Sequence, residues 1–444
     1  MSRKPRKQRP NKRIGAFLTA FYHYLKINIR IGLRFYYRDY TIARPHRLKF
    51  DGPGIVVSNH PSTLMDPFNA VADMRRIMHF LINYGLVKSK AGSWFFNKFY
   101  CIPIKRASDV GKGESRNNAE AFARSNRHLL EGGVLYIAVE GGSEPERRLR
   151  TTKSGAARIA LAAEADANWK LGLRFLPVGL NYKAPLKFQQ DALIEHGEPF
   201  EIGAYRERYE DNPVRAIREL TKEIDTRLRA CLIDTADDEI DEFLRTGERI
   251  LQNTKPLPPV GEYERTRRLH QSLIELRTEP ENYTAWQTQA ARYRDLLKKA
   301  QVNDEIVHAP GVRLWEILFL ILSLPLFLFG AITHLFAFGL PYLIERLAGI
   351  DRSYRSTIRY LSGILLLPIF YVLNWFLFYW TTDSSLLAWL LSAAMLPAAF
   401  FAWDYQLLFR RVLQKFRWNA TDGNLRTELK NTRSELTTKF LNAC

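Results

Sequence analysis

The sequence predicts an α/β domain, a mixed sheet covered by helices, followed by a C-terminal α-helical transmembrane region. Two patterns carry this prediction. Between residues 46 and 232, short apolar runs of strand length alternate with helix-like stretches. After residue 316 the chain holds three uncharged apolar runs, 317–344, 360–382 and 384–403, and a bilayer crossing needs about 20 such residues. A third observation gives the chain a direction. The first fifty residues carry 14 Lys and Arg against one acid, Asp39, or +13 of the whole-chain +19. A basic head and an apolar tail suit a membrane protein meeting anionic lipid or a phosphorylated substrate. High charge alone would also suit nucleic acid, but long uncharged apolar runs do not.

Taken in order, residues 1–45 form a basic arm and an amphipathic helix. Seven of the first thirteen residues are Lys or Arg. From 14 to 38, Phe17, Phe21, Leu25, Ile29 and Leu33 recur every fourth position, and Lys26, Arg30, Arg34 and Arg38 form a second stripe on the other side of the wheel, with Ile27 falling among the cations. Such a helix can lie in the headgroup plane, each nearby cation gaining about 1 kcal/mol from anionic lipid. No small-residue cleavage site follows an apolar core, so the start does not read as a secretory signal.

In the domain at 46–232, strands are expected at Gly54–Ser58, Ile77–Asn83, Tyr100–Lys105, Val134–Val139, Phe175–Leu180 and Leu193–Ile194, with Pro177 breaking the fifth. Helices are expected at Arg116–Leu130, Lys153–Ala165 and Pro213–Ala230. Residues 233–310 read as an accessory helical segment, 311–403 as hydrophobic membrane helices and 404–444 as a basic cytoplasmic tail. Runs 360–382 and 384–403 each suffice to cross and form a hairpin. Run 317–344 holds Pro325, Gly330, His334, Gly339 and Pro341, and is expected to bend and re-enter. Arg346, Arg352, Arg355 and Arg359 in the following loop place that loop, and the catalytic domain, on the cytoplasmic side.

The chemistry concentrates where strands end. Val56-Val-Ser-Asn-His-Pro-Ser-Thr-Leu-Met-Asp-Pro67 delivers Asn59 and His60 to a loop, with Asp66 following. A His beside an Asp is a general base with an orienting carboxylate, and an alcohol substrate can supply the nucleophile. Val134-Leu-Tyr-Ile-Ala-Val-Glu-Gly-Gly-Ser143 ends a second strand in Glu140, Gly141 and Ser143, ahead of Arg147, Arg148, Arg150 and Lys153. Cations beside a helix start suit a phosphate. Ile102-Pro-Ile-Lys-Arg106 ends a third strand on Lys105 and Arg106, and Leu176-Pro-Val178 lies in a fourth.

These four blocks, in this order and spacing over roughly residues 46–232, resemble the glycerolipid acyltransferase family of glycerol-3-phosphate, dihydroxyacetone-phosphate and lysophosphatidate acyltransferases. The resemblance implies acyl transfer without a covalent enzyme intermediate. His60 would deprotonate the acceptor hydroxyl and Asp66 would hold His60. Asn59 belongs to the same motif. Lys105, Arg106, Glu140 and Gly141 would bind the glycerol phosphate, with Ser143 and Lys153 beside them, and Pro177 would lie near the acyl donor. The donor would be an acyl-CoA or acyl carrier protein thioester, with no cofactor and no metal. Partners would be membrane lipids and the glycerol phosphate, not nucleic acid. Two departures stand out. Five residues separate His60 from Asp66 instead of the usual four, and the third motif reads Glu-Gly-Gly-Ser instead of Glu-Gly-Thr-Arg. The longer spacing, with Pro after both His60 and Asp66, resembles the subgroup acting on glycerol 3-phosphate or dihydroxyacetone phosphate; the second departure removes the usual phosphate Arg and leaves Lys105, Arg106, Arg147, Arg148 and Lys153 as candidates for the phosphate.

Other signals carry less. Cys101, Cys231 and Cys444 are odd in number and widely spaced, which suggests neither a disulfide framework nor a zinc site. Gly111–Ser115 lacks the spacing of a phosphate loop. His79, His128 and His196 show no metal-ligand spacing. The rival from another class is a noncatalytic lipid-binding membrane protein, against which the intact His60, Asp66 and Glu140 argue.

Overall fold

The computed structural model describes residues 12–87, 90, 94, 96, 100–105, 118–347, 349 and 351–444. The basic arm before residue 12, Arg106 and the Gly111–Ser115 turn lie outside the described residues. The chain divides into two compact units, residues 1–234 with Arg352–Thr357, and Thr235–Asp351 with Ile358–Cys444.

The first unit is built on an eight-stranded mixed sheet. Its strands are β1 (Tyr40–Ala43), β2 (Gly54–Ser58), β3 (Met78–Asn83), β4 (Cys101–Ile104), β5 (Val134–Ala138), β6 (Arg174–Tyr182), β7 (Ala192–His196) and β8 (Phe200–Glu201). The order is β1-β7-β6-β2-β5-β3-β4, with β8 against β6. β2 runs parallel to both β5 and β6, with Ser58 opposite Ala138 and Val178. β2 and most of β5 are buried, as expected of strands covered on both faces. Ile55, Val57, Leu135 and Phe175 pack with Ala160 and Leu161 of the helix Gly155–Asp166 and with Leu220 and Ile224 of the helix Pro213–Arg229.

Several expectations change. Pro177 does not break its strand: β6 runs through it as far as Tyr182. β8 pairs with Arg174 and Phe175 of β6, and the pairing with β7 starts only at Val178, so Pro177 falls in the gap between them. Its carbonyl accepts from Gly197 N at 2.9 Å on that side, so the missing donor falls at the gap and not in the β2 ladder. The short strands β1 and β8 are additions.

The first helix, Lys12–Tyr36, turns its expected lipid stripe partly inward. Leu33 is fully buried, whereas Phe17 is 65% exposed, Ile27 57% and Ile31 51%. Lys26 donates to the Met74 carbonyl and Arg30 pairs with Asp73 at 2.8 Å, so part of the basic stripe packs on the domain.

The second unit contains a helical bundle. The helices Asp238–Thr254, Pro259–Leu276, Pro280–Ala300 and Gly423–Asn442 bury Phe243, Leu273, Tyr293, Leu436 and Phe440. Arg433 pairs with Asp304 at 2.9 Å in its interior. The expected tail 404–444 is therefore two packed helical pieces, the end of Ser385–Ala420 and Gly423–Asn442.

Among the described residues three helices are long and apolar enough to cross a membrane: Leu324–Leu347, Arg352–Thr382 and Ser385–Ala420. The expected run 317–344 is divided at Ser323 into a pair of helices, Leu314–Leu322 and Leu324–Leu347, and the second continues unbroken through Gly339 and Pro341. Gly330 serves packing rather than bending, since a Cβ there would lie 2.1 Å from the Ala398 carbonyl oxygen. His334 is buried within that helix, its Nδ1 3.1 Å from the Gly330 carbonyl.

Candidate active site

The parallel strands β2, β5 and β6 end together, and the loops leaving their C-terminal ends meet, as sites on parallel sheets do. β2 ends in Asn59 and His60. Asn59 is buried and bridges to β6 with both ends of its amide. Nδ2 donates to the Leu180 carbonyl at 3.0 Å, and Leu180 N donates to Oδ1 at 2.9 Å. This pins the strand end from which His60 leaves.

After a five-residue loop the chain starts the short helix Met65–Val71, with Asp66 and Pro67 in its first turn, where proline's missing N–H costs nothing. His60 Nδ1 lies 2.8 Å from Asp66 Oδ2. Ser62 N donates to the same oxygen at 2.7 Å, and the Tyr182 hydroxyl donates to Oδ1 at 3.0 Å. Asp66 is fully buried while the His60 side chain keeps 12% of its surface exposed. Every partner of Asp66 is a donor, so the carboxylate fixes the Nδ1–H tautomer and leaves Nε2 as the nitrogen that can take a proton. Burial pushes the Asp66 carboxyl above its ordinary value, against the opposing pull of His60, Ser62 and Tyr182. Burial also raises the Tyr182 hydroxyl well above its usual value, which keeps it a donor.

The β5 loop grips His60 from both sides. His60 N donates to Glu140 Oε1 at 2.6 Å, and Glu144 N donates to the His60 carbonyl at 3.2 Å. Glu140's other oxygen accepts from Arg150 N at 3.2 Å. Burial raises the Glu140 carboxyl, with those two backbone bonds working the other way. Gly141 follows at φ +73°, a left-handed turn that a side chain would strain. Thr63 N donates to Ser143 Oγ at 2.9 Å, tying the two loops together.

Asn59, His60, Asp66, Glu140 and Ser143 thus form one connected network. Within it Glu140 spends both oxygens on backbone N–H groups, which is a scaffolding task. Lys153 holds the turn through its backbone, its N donating to the Val139 carbonyl at 2.8 Å, and its side chain is exposed. Lys105 leaves β4 at the sheet edge, three strands from β2 and so about 14 Å across at ordinary strand spacing. Its Nζ lies 5.2 Å from the centre of the Tyr84 ring. Pro177 is buried in mid-strand opposite Val57.

Arg147 and Arg148 line a cleft together with Asn59, Pro61, Asn181 and Tyr182. Of the five candidate cations, these two share a cleft with the residues flanking His60. Tyr182 and Asn69 were not legible as site residues. The Asn69 amide donates to the Tyr182 hydroxyl at 2.9 Å and to that of Tyr37 at 3.0 Å. Their signal is polar residues one helical turn past Asp66 and at the end of β6. His79 and His196 are held down by burial, to about 3 and about 4. Among the described residues no group of three His, Cys, Asp or Glu is arranged to hold a metal ion.

Residues 39–181 match the family model described as acyltransferase. Two curated proteins of Saccharomyces cerevisiae are similar. "Glycerol-3-phosphate O-acyltransferase 2" is 33% identical over 157 residues, 34% of this chain and 21% of that protein. "Glycerol-3-phosphate O-acyltransferase 1" is 30% identical over 151 residues, 32% of this chain and 20% of that protein. The chain thus spans about a fifth of the length of these relatives. A solved structure, the 1-acyl-sn-glycerophosphate (LPA) acyltransferase PlsC from Thermotoga maritima, aligns with 50% of this chain and 82% of its own at 17% identity and a TM-score of 0.35. The matched segment runs from β1 into β6 and contains His60, Asp66 and Glu140; over that third of the chain it is similar to the acyltransferase family.

Proposed function

We propose that this chain transfers a fatty acyl group from a thioester to a hydroxyl of glycerol 3-phosphate, as a membrane-bound enzyme of phospholipid synthesis. The observation that carries the proposal is the buried Asp66 carboxylate 2.8 Å from His60 Nδ1, at the end of a parallel strand. His60 Nε2 takes the proton of the acceptor hydroxyl as its oxygen attacks the thioester carbonyl. The C–S bond then breaks, and the imidazolium returns the proton to the leaving thiolate. Asp66 stabilises the imidazolium between those events. The acyl donor is a co-substrate, acyl-CoA or acyl carrier protein. Arg147 and Arg148, in the cleft beside Asn59 and Pro61, supply charge for the acceptor's phosphate.

Glycerol 3-phosphate is favoured as acceptor by the five-residue His60–Asp66 spacing and by the names of the yeast relatives. The test is a panel of glycerol 3-phosphate, dihydroxyacetone phosphate and lysophosphatidate, each with a long-chain acyl-CoA, using wild type and His60→Ala. Glycerol 3-phosphate should turn over fastest, and His60→Ala should lose activity while staying membrane-associated. Turnover of lysophosphatidate alone would overturn the acceptor, and a fully active His60→Ala would overturn the site.

The proposed partner of the first helix is lipid, met by the outward-facing Phe17, Tyr24, Ile27 and Ile31 with Arg34 and Arg38 alongside. A cytoplasmic catalytic domain fits the four arginines of 345–359. Arg352–Thr357 belongs to the same compact unit as residues 1–234. Residues 234 and 352 on one side require the chain between them to cross an even number of times. Among the described residues Leu324–Leu347 is the one candidate span in that stretch, which favours the re-entrant arrangement. Single cysteines at Gly311 and Gly349 should therefore react with a membrane-impermeant maleimide from the same face of sealed vesicles. Reaction from opposite faces would show that this helix spans.

A further inference from the structure

The five-residue loop between His60 and Asp66 turns at Thr63. This residue sits at φ +44°, a left-handed conformation that a β-branched side chain resists. Such a conformation persists where its surroundings over-determine it, and those of Thr63 do. Its N–H donates to Ser143 Oγ, as described above. Its hydroxyl donates to the Ser353 carbonyl at 3.3 Å and lies 2.6 Å from Thr357 Oγ1. With the Thr63 proton directed at Ser353, Thr357 is the donor of the shorter bond. The next hydroxyl along, Ser356 Oγ, donates to the Pro185 carbonyl at 2.5 Å, and Ser62 Oγ donates to the same carbonyl at 3.3 Å. Thr63, Ser353, Ser356 and Thr357 are all buried.

The segment that makes these bonds is almost 300 residues away in sequence, at the very start of the helix Arg355–Thr382. Ser62, beside Thr63, supplies the backbone N–H that holds Asp66 Oδ2. A change in the Thr63 conformation moves that N–H directly, and through it the carboxylate and the His60 ring.

We propose that Thr357 is a positioning residue for the His60–Asp66 pair, and that Ser353–Thr357 is a built-in part of the catalytic unit instead of a mere lead-in to the following helix. This rests on the acyl-transfer reading of the site.

The test uses the full chain with Thr357→Val, which keeps the shape and removes the donor, and Thr357→Ser, which restores it. Thr63→Ala deletes the same bond from the other side and carries the test should Thr357→Val fail to fold. Thr357→Val and Thr63→Ala should each lower kcat by about 10- to 100-fold, the scale of a small misplacement of reacting groups. KM for both substrates should stay within about twofold, a split expected when an orienting contact is lost. Thr357→Ser should recover most of the rate. Amide hydrogen exchange at Ser62 and Thr63 should quicken in the two impaired variants, a readout that does not need turnover. Wild-type kcat and exchange in both variants would overturn the proposal, as would a Thr357→Ser enzyme as impaired as Thr357→Val. Wild type inactive on every acceptor would instead count against the function, with the exchange measurement still deciding the positioning.

Discussion

Asp66→Asn is expected to lower kcat by about 10³- to 10⁴-fold, the scale seen when a His loses its orienting carboxylate. The reason lies in the donor set around the side chain. His60 Nδ1, Ser62 N and the Tyr182 hydroxyl all direct protons at Asp66, and an amide cannot accept all three. If the Asn oxygen faces His60, its NH₂ faces a Tyr182 hydroxyl that already accepts from Asn69. If the NH₂ faces His60, it forces the ring proton onto Nε2 and abolishes the base. In either orientation the imidazolium loses its counter-charge. Asp66 is fully buried and does not reach substrate, so KM for donor and acceptor should move little. Steady-state kinetics on both substrates, with far-UV circular dichroism to establish folding, make the measurement. A variant with near wild-type kcat would remove Asp66 from the mechanism.

Sequence alone reached β2, β5 and the loops that leave them, because continuous apolar strands ending in polar turns have a local signature. β1 was not legible: Tyr40–Ala43 is four residues long with a single buried side chain. Tyr182 was missed for a different reason. It meets Asp66 across 116 residues of chain, and nothing near either residue announces the pairing. The first helix shows the limit of periodicity. An apolar stripe says that a face is covered, not by what, and Leu33 turned out to be covered by protein. The segment 404–444 looked like a charged tail because Arg433 counts as a surface cation until its buried partner Asp304 is seen. The role implied for Glu140 shows a further limit, since resemblance gives a motif a task but cannot apportion its atoms.

Glu140 therefore yields the second large effect. Both its oxygens are occupied by backbone N–H groups, one of them that of His60. Glu140→Ala leaves two part-buried donors without their carboxylate, which costs about 1–3 kcal/mol, and it releases the His60 peptide. The expected result is a lower Tm and a kcat reduced about 100-fold, with KM for glycerol 3-phosphate nearly unchanged. Direct binding of the acceptor by Glu140 would give the opposite split, a raised KM with kcat held. Acidity separates the two tasks again. Because burial raises the Glu140 carboxyl, the folded chain binds that proton more tightly than the unfolded chain does. Its unfavourable contribution to stability is complete above the raised value and eases as pH falls toward the ordinary glutamate value. Glu140→Gln cannot titrate. The Tm difference between wild type and Glu140→Gln should thus shift toward wild type as pH falls through that window. Wild-type kcat should fall over the same window, because a protonated carboxyl turns one accepting oxygen into a donor facing a backbone N–H. A Tm difference that ignores pH, or a kcat held constant while acceptor KM climbs, would return Glu140 to the acceptor.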